Sequence, residues 1–213
     1  MENEESKISP KDAYERVWEC RDFEISHLWE RSVFLGAFLL GIAGAYGAII
    51  MSMYFSAEAK VTYQQHFIAC GVCWLGLAFS ILWVMMAKGS KYWFEKYEAG
   101  IDSYEDGDFG KEIQSYSHHG AMPKLSKKQY NENIFSPKAG HYSVSKVNGT
   151  IGIIALTTWS SLEMFHFVKF LDFYFEHFNS FQCVLLSFAS YLGFGAILFV
   201  TLRFLCKSGE KDE

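Results

Sequence analysis

Residues 32–57 read SVFLGAFLLGIAGAYGAIIMSMYFSA, a run without one Asp, Glu, Lys or Arg, bounded by Arg31 and Glu58. A hydrocarbon core ~30 Å thick is crossed by ~20 helical residues rising ~1.5 Å each, so this run is long enough to span a bilayer. It does not read as a secretory leader. The first 31 residues carry nine acidic and five basic side chains, and the run outlasts a leader's apolar region. A retained membrane anchor is expected.

Three more charge-free windows lie outward from this one: residues 61–87, 147–162 and 177–202. The third is short, and it is expected to continue through Glu163 to Phe165, with Glu163 among the headgroups. A tilted or re-entrant segment is the competing reading. The fold class is therefore all-α: an integral membrane protein with four transmembrane helices. The organisation runs as a cytoplasmic helix (1–31), a span (32–57), an outer turn (58–60) and a second span (61–87). A cytoplasmic helix with a mobile loop (88–146), a third span (147–165), an aromatic outer connection (166–177), a fourth span (178–202) and a cytoplasmic tail (203–213) follow.

Orientation comes from the flanks. Of 19 Lys and Arg, 17 lie in the two end segments and the middle segment; only Lys60 and Lys169 lie in the other two connections. By the positive-inside rule the 17 face the cytoplasm, and an even number of spans returns both termini there. The net charge of −5 speaks against nucleic acid as a partner, since phosphate must be neutralised by a basic surface. The five cysteines, Cys20, Cys70, Cys73, Cys183 and Cys206, sit in apolar windows or cytoplasmic segments, which argues against a disulfide framework.

The tail reads as a helix opening at Ser9-Pro10-Lys11-Asp12, with Ser9 as cap and Asp12 at the positive dipole end. Tyr14, Val17, Trp18, Ile25, Leu28 and Trp29 recur at helical spacing, and no breaker separates them from the first span. Beyond the second span, Trp93, Tyr97, Ile101 and Tyr104 form another stripe. The first and second transmembrane helices are thus expected to continue into cytoplasmic amphipathic helices packed on each other. Residues 106–142, with Pro123, Pro137 and scattered Lys, read as a mobile or partner-dependent loop before a cap at Ser143 or Ser145.

Several patterns compete as functional features. Ala37, Gly41 and Ala45, with Gly44 and Ala48, are spaced for close helix contact, either within the chain or between subunits. Lys88-Gly89-Ser90-Lys91-x-Trp93, followed by Glu98, straddles the inner boundary, where lysines snorkel and Trp anchors. Cys70-x2-Cys73 is half of a zinc motif without its second half, and reads as packing. His118-His119 reads as solvated loop. His66, His166 and His177 read as boundary side chains, with proton sensing as the sharper alternative. Seven Phe between 165 and 181 read as an interfacial turn, or else as a lip for another chain. The spans hold no midplane charge, no phosphate-cradling loop and no nucleophile–base set. No enzyme, cofactor, metal or catalytic residue is expected.

Three motifs in order carry a resemblance. Arg21-Asp22-Phe23-Glu24-Ile25 with Leu28-Trp29-x-Arg31, the Lys88–Glu98 neck, and Tyr142-Ser143-Val144-Ser145-Lys146-Val147-Asn148 resemble the RipA-type octameric membrane protein family, over about residues 14–165. Where that family has Glu-Asn-Trp-Glu, this chain has Glu95-Lys96-Tyr97-Glu98. The resemblance implies a homo-octamer in a bacterial inner membrane, and it transfers no catalytic residue. Three functions are then in view. The first is a non-enzymatic oligomeric scaffold or sensor with a cytoplasmic helical skirt, whose partners are itself, the phospholipid bilayer and an unknown cytoplasmic ligand or protein. The second is a channel or pore-forming effector such as a phage-defence protein. The third is a transporter or membrane enzyme, which the missing midplane charges disfavour.

Overall fold

Why the chain folds as it does begins at its caps. In this computed structural model, which describes residues 9–55, 61–106, 136, 143–174 and 180–206, Ser9 opens helix α1 (Pro10–Tyr54). Its hydroxyl accepts the Asp12 N–H at 3.1 Å and its carbonyl accepts the Ala13 N–H at 3.0 Å. Helix α2 (Tyr63–Glu105) opens on a capping box that sequence reading passed over. The Gln65 side chain accepts the Thr62 N–H at 3.0 Å, while the Thr62 hydroxyl accepts the Gln65 N–H at 3.4 Å. Helix α3 (Val144–Tyr174) begins behind Ser143, whose carbonyl accepts the Val147 N–H at 3.0 Å. Helix α4 spans Ser180–Cys206. Four helices are long and apolar enough to cross a membrane, and no strand occurs among the described residues.

The helices outrun the charge-free windows, because charge marks where water begins and not where a helix ends. The largest difference lies at residues 166–174, expected in an aromatic turn and found as the last turns of α3. No Gly or Pro interrupts them. Their rings stack at helical spacing, Phe167 with Phe170 at 6.1 Å and Phe170 with Tyr174 at 5.6 Å, and Lys169 pairs with Asp172 at 3.9 Å. The outer turn at 58–60, most of the loop at 106–142 with His118 and His119, and His177 lie outside the described residues.

The chain divides into two units, Met1–Glu30 with Lys88–Val147, and Arg31–Ala87 with Asn148–Glu213. In the first, the two amphipathic stripes meet as an antiparallel pair. Tyr14 donates its hydroxyl to Glu105 at 2.7 Å and sets its ring edge-on to Tyr104. Val17 lies beside Gly100, and Ile101 is buried. Arg21 inserts between the rings of Trp18 and Phe94, 5.0 and 5.1 Å from their centres, and reaches Glu98 at 3.3 Å.

In the second unit, Ile42, Cys73, Leu77 and Trp159 form one cluster contributed by α1, α2 and α3. The approach of α2 to α3 depends on two glycines. A methyl group on Gly76 would overlap the Trp159 indole. One on Gly152 would come within 2.9 Å of Val84 and 3.2 Å of Trp83. A buried amide then bridges three helices: the Trp83 indole donates to Asn148 Oδ1 at 2.8 Å, and Asn148 Nδ2 donates to the Ser32 hydroxyl at 2.8 Å. Among the described residues Cys20, Cys70 and Cys73 are free thiols, the last two buried as expected of packing side chains.

Two outcomes follow from this packing. Gly76→Ala should cost about 1–3 kcal/mol through overpacking, read by denaturant unfolding in detergent, whereas Gly71→Ala, which meets open space, should cost far less. Asn148→Leu should cost about 1–3 kcal/mol by stranding the Trp83 N–H, and Trp83→Phe on that background should recover part of the loss.

Candidate functional site

The neck motif at the start of the lower half of α2 divides between inward and outward roles. Ser90 is buried and donates its hydroxyl to Glu24 Oε1 of α1 at 2.6 Å. Glu98 holds Arg21, as described. Lys88 and Gly89 are exposed, and nothing lies within 4 Å of a Cβ placed on Gly89. Lys91 is half-buried and pairs with Glu95 at 3.2 Å. Trp93 stacks on Tyr97 at 6.0 Å and carries the Lys96 ammonium 5.0 Å above its ring. Two motif positions, Ser90 and Glu98, thus tie the helix pair together, while Lys88 and Gly89 face outward and Lys91 and Trp93 are half-buried.

The small-residue set on α1 has a different placement. Ala37, Gly41, Gly44, Ala45 and Ala48 are all exposed, and a Cβ added to Gly41 or Gly44 would meet no described atom within 4 Å. With Val72 and Leu75 of α2, the first of them line a shallow apolar groove of about 420 Å³. The most apolar window of α1 is 6% buried, against 44% for that of α2. Among the described residues the tightest glycine contacts between helices are at Gly76 and Gly152, neither of which belongs to the α1 set.

A third group was missed from sequence. On α3, Trp159, Glu163 and His166 recur at i, i+4 and i+7 and are all buried. His166 Nε2 lies 2.9 Å from the Tyr46 hydroxyl of α1, and its Nδ1 lies 2.9 Å from Nδ1 of His66 on α2. One atom of each close pair must donate and the other accept, so the Tyr46–His166–His66 chain couples the tautomers of both imidazoles. Glu163 is 2% exposed and accepts a hydrogen bond from the Trp74 side chain, while its Oε2 has no partner among the described residues. Sequence reading set these histidines at a membrane boundary and Glu163 among headgroups. The structure adds that all three side chains are buried, His66 and His166 where α1, α2 and α3 meet and Glu163 against α2, along a face of α3 that extends past residue 165. The i, i+4, i+7 spacing was the available signal. Among the described residues no set of three His, Cys, Asp or Glu is placed to hold a metal.

With this geometry in view, comparison with known proteins is informative at the family level. No curated protein and no solved structure matches the chain. The sequence profile of the octameric membrane protein family (8xMP) matches residues 11–168, from the first turn of α1 to just beyond His166. That stretch takes in the paired amphipathic helices, the neck and both buried polar bridges, and leaves α4 outside. Because the match covers well over half of its length, this chain belongs to the octameric membrane protein family.

Proposed function

We propose that this protein is a non-enzymatic homo-octamer of a bacterial inner membrane, serving as a scaffold or sensor. The single observation that carries the reading is the exposed small-residue face of α1, which has the spacing for close helix approach and at Gly41 and Gly44 leaves room for a Cβ with no described atom within 4 Å. In lipid, such a face gains most when a second backbone comes near it, and a family named for octamers makes another copy the natural partner. The distribution of Lys and Arg supports a cytoplasmic location for both termini and for the helix pair of residues 10–30 and 88–105, which would form a skirt able to meet a cytoplasmic ligand or protein.

A conducting pore draws less support. The exposed hydroxyls of Thr157, Thr158 and Ser161 donate to carbonyls one turn back in α3, at 2.9 Å each. That pairing suits a face turned to lipid or protein better than one lining water.

Native mass spectrometry of the nanodisc-embedded protein tests the assembly. A particle of about eight 24.4 kDa chains is expected, and Gly41→Leu should reduce it to smaller species while leaving the helix content unchanged. A wild-type particle of one or two chains would overturn the reading.

A further inference from the structure

The first unit contains a cavity of about 240 Å³ that none of the roles above uses. Its wall is mostly apolar, with Trp29 and Phe94 among the residues that form it, and Glu24, Ser90, Lys91, Ser143 and Ser145 are its polar members. The charges are one of each sign. Glu24 accepts from Ser90 and has a further interaction, and a carboxylate with about four lone-pair sites can still accept another donor. Opposite in chemistry are Lys91 and the hydroxyls of Ser143 and Ser145, which lie 3.0 Å apart. When one of these hydroxyls donates to the other, the second keeps its proton for an outside acceptor. They sit at the opening of α3, the positive end of its dipole. Among the described residues Lys91 is held by an exposed pair with Glu95, an interaction worth little and readily exchanged.

A cavity with one carboxylate and one ammonium-plus-hydroxyl group is complementary to a ligand that carries an ammonium and a phosphate. Its volume lies below the roughly 300 Å³ where sites for whole drug-sized ligands begin, so it suits a headgroup whose remainder stays outside. The lining also bears on the source. Each contributing segment, 24–29, 90–94 and 143–145, lies within eight residues of a charge-free window of the sequence. The rim is apolar and open, with Trp29 57% and Val144 51% exposed. An indole beside such a window is the side chain that favours the interfacial layer.

We propose that this cavity binds the aminoethyl phosphate headgroup of a membrane phospholipid, with its ammonium on Glu24 and its phosphate on Lys91 and the Ser143–Ser145 pair. The glycerol and acyl chains leave across Trp29. Each methyl added to the ammonium removes a donor that Glu24 would accept, so the site discriminates against N-methylated headgroups.

The test is native mass spectrometry of the full-length protein in detergent, titrated with lipids of identical acyl chains. The series is phosphatidylethanolamine, its mono- and dimethyl forms, phosphatidylcholine and phosphatidylglycerol, with soluble glycerophosphoethanolamine as the chain-free probe. One saturable phosphatidylethanolamine per chain is expected, with retention falling along the methylation series to about tenfold weaker for phosphatidylcholine. E24Q should abolish that preference and weaken phosphatidylethanolamine more than phosphatidylcholine, whose cation loses only charge attraction, and S145A should weaken all the phospholipids alike. A flat methylation series on the wild-type protein, which needs no variant to fold, overturns the proposal. So does a preference that survives E24Q. Glycerophosphoethanolamine binding as tightly as the lipid would place a soluble aminophosphate in the site and overturn the membrane source. All the lining residues belong to one chain, so a monomeric particle that retains phosphatidylethanolamine would fail the octamer reading and leave this one standing.

Discussion

Where lipid is the solvent, an apolar side chain gains little by leaving acyl chains for another helix, so helices are held by close approach and by hydrogen bonds that lipid cannot offer. In the second unit both devices act between α2 and α3. The indole of Trp159 lies where a Cβ on Gly76 would be, and Trp83 and Val84 crowd Gly152 in the same way. These contacts bring Cys73 and Leu77 against Trp159, and Ile42 of α1 closes the cluster.

The polar bridges occur at two levels. Near one end, Ser32, Asn148 and Trp83 form a bridge in which every bond is 2.8 Å long. Further along, Tyr46, His166 and His66 form another, with both histidines almost wholly enclosed. Each level draws one residue from α1, one from α2 and one from α3, so each fixes both rotation and register. A slip of one residue in any helix would strand a donor in an apolar surrounding, at a cost of about 1–3 kcal/mol. Glu163 departs from this economy. It is buried with one oxygen bonded by Trp74 and the other without a partner among the described residues, the kind of incomplete polar site that a purely structural core avoids.

The first unit is held together by different contacts. Its helix pair uses aromatic rings, ion pairs and partly exposed charges. Arg21 is the clearest case: its guanidinium lies against Trp18 and Phe94 while it pairs with Glu98, so a single side chain joins apolar and charged contacts. Ser90 and Glu24 add a short bond within the same pair. The cavity beside that bond exists because Ser143 and Ser145 bring a third segment to it, from more than forty residues beyond the neck motif.

Much of this was legible along the chain. Four charge-free windows, the Ser9-Pro10-Lys11-Asp12 opening and two stripes of aromatic and aliphatic residues determine four long helices and their amphipathic extensions, because solvation and capping act on near neighbours. The ordered motifs determine the family. What only the tertiary structure decided is which small residues face inward and which polar ones find each other. Gly76 and Gly41 look alike in sequence, yet one lies under an indole and the other in the open. His66 and His166 are a hundred positions apart and meet at 2.9 Å. Helical periodicity defines a stripe on one helix, but the rotation of that stripe toward a neighbour is set by contacts between helices, and those contacts leave no local trace in the chain.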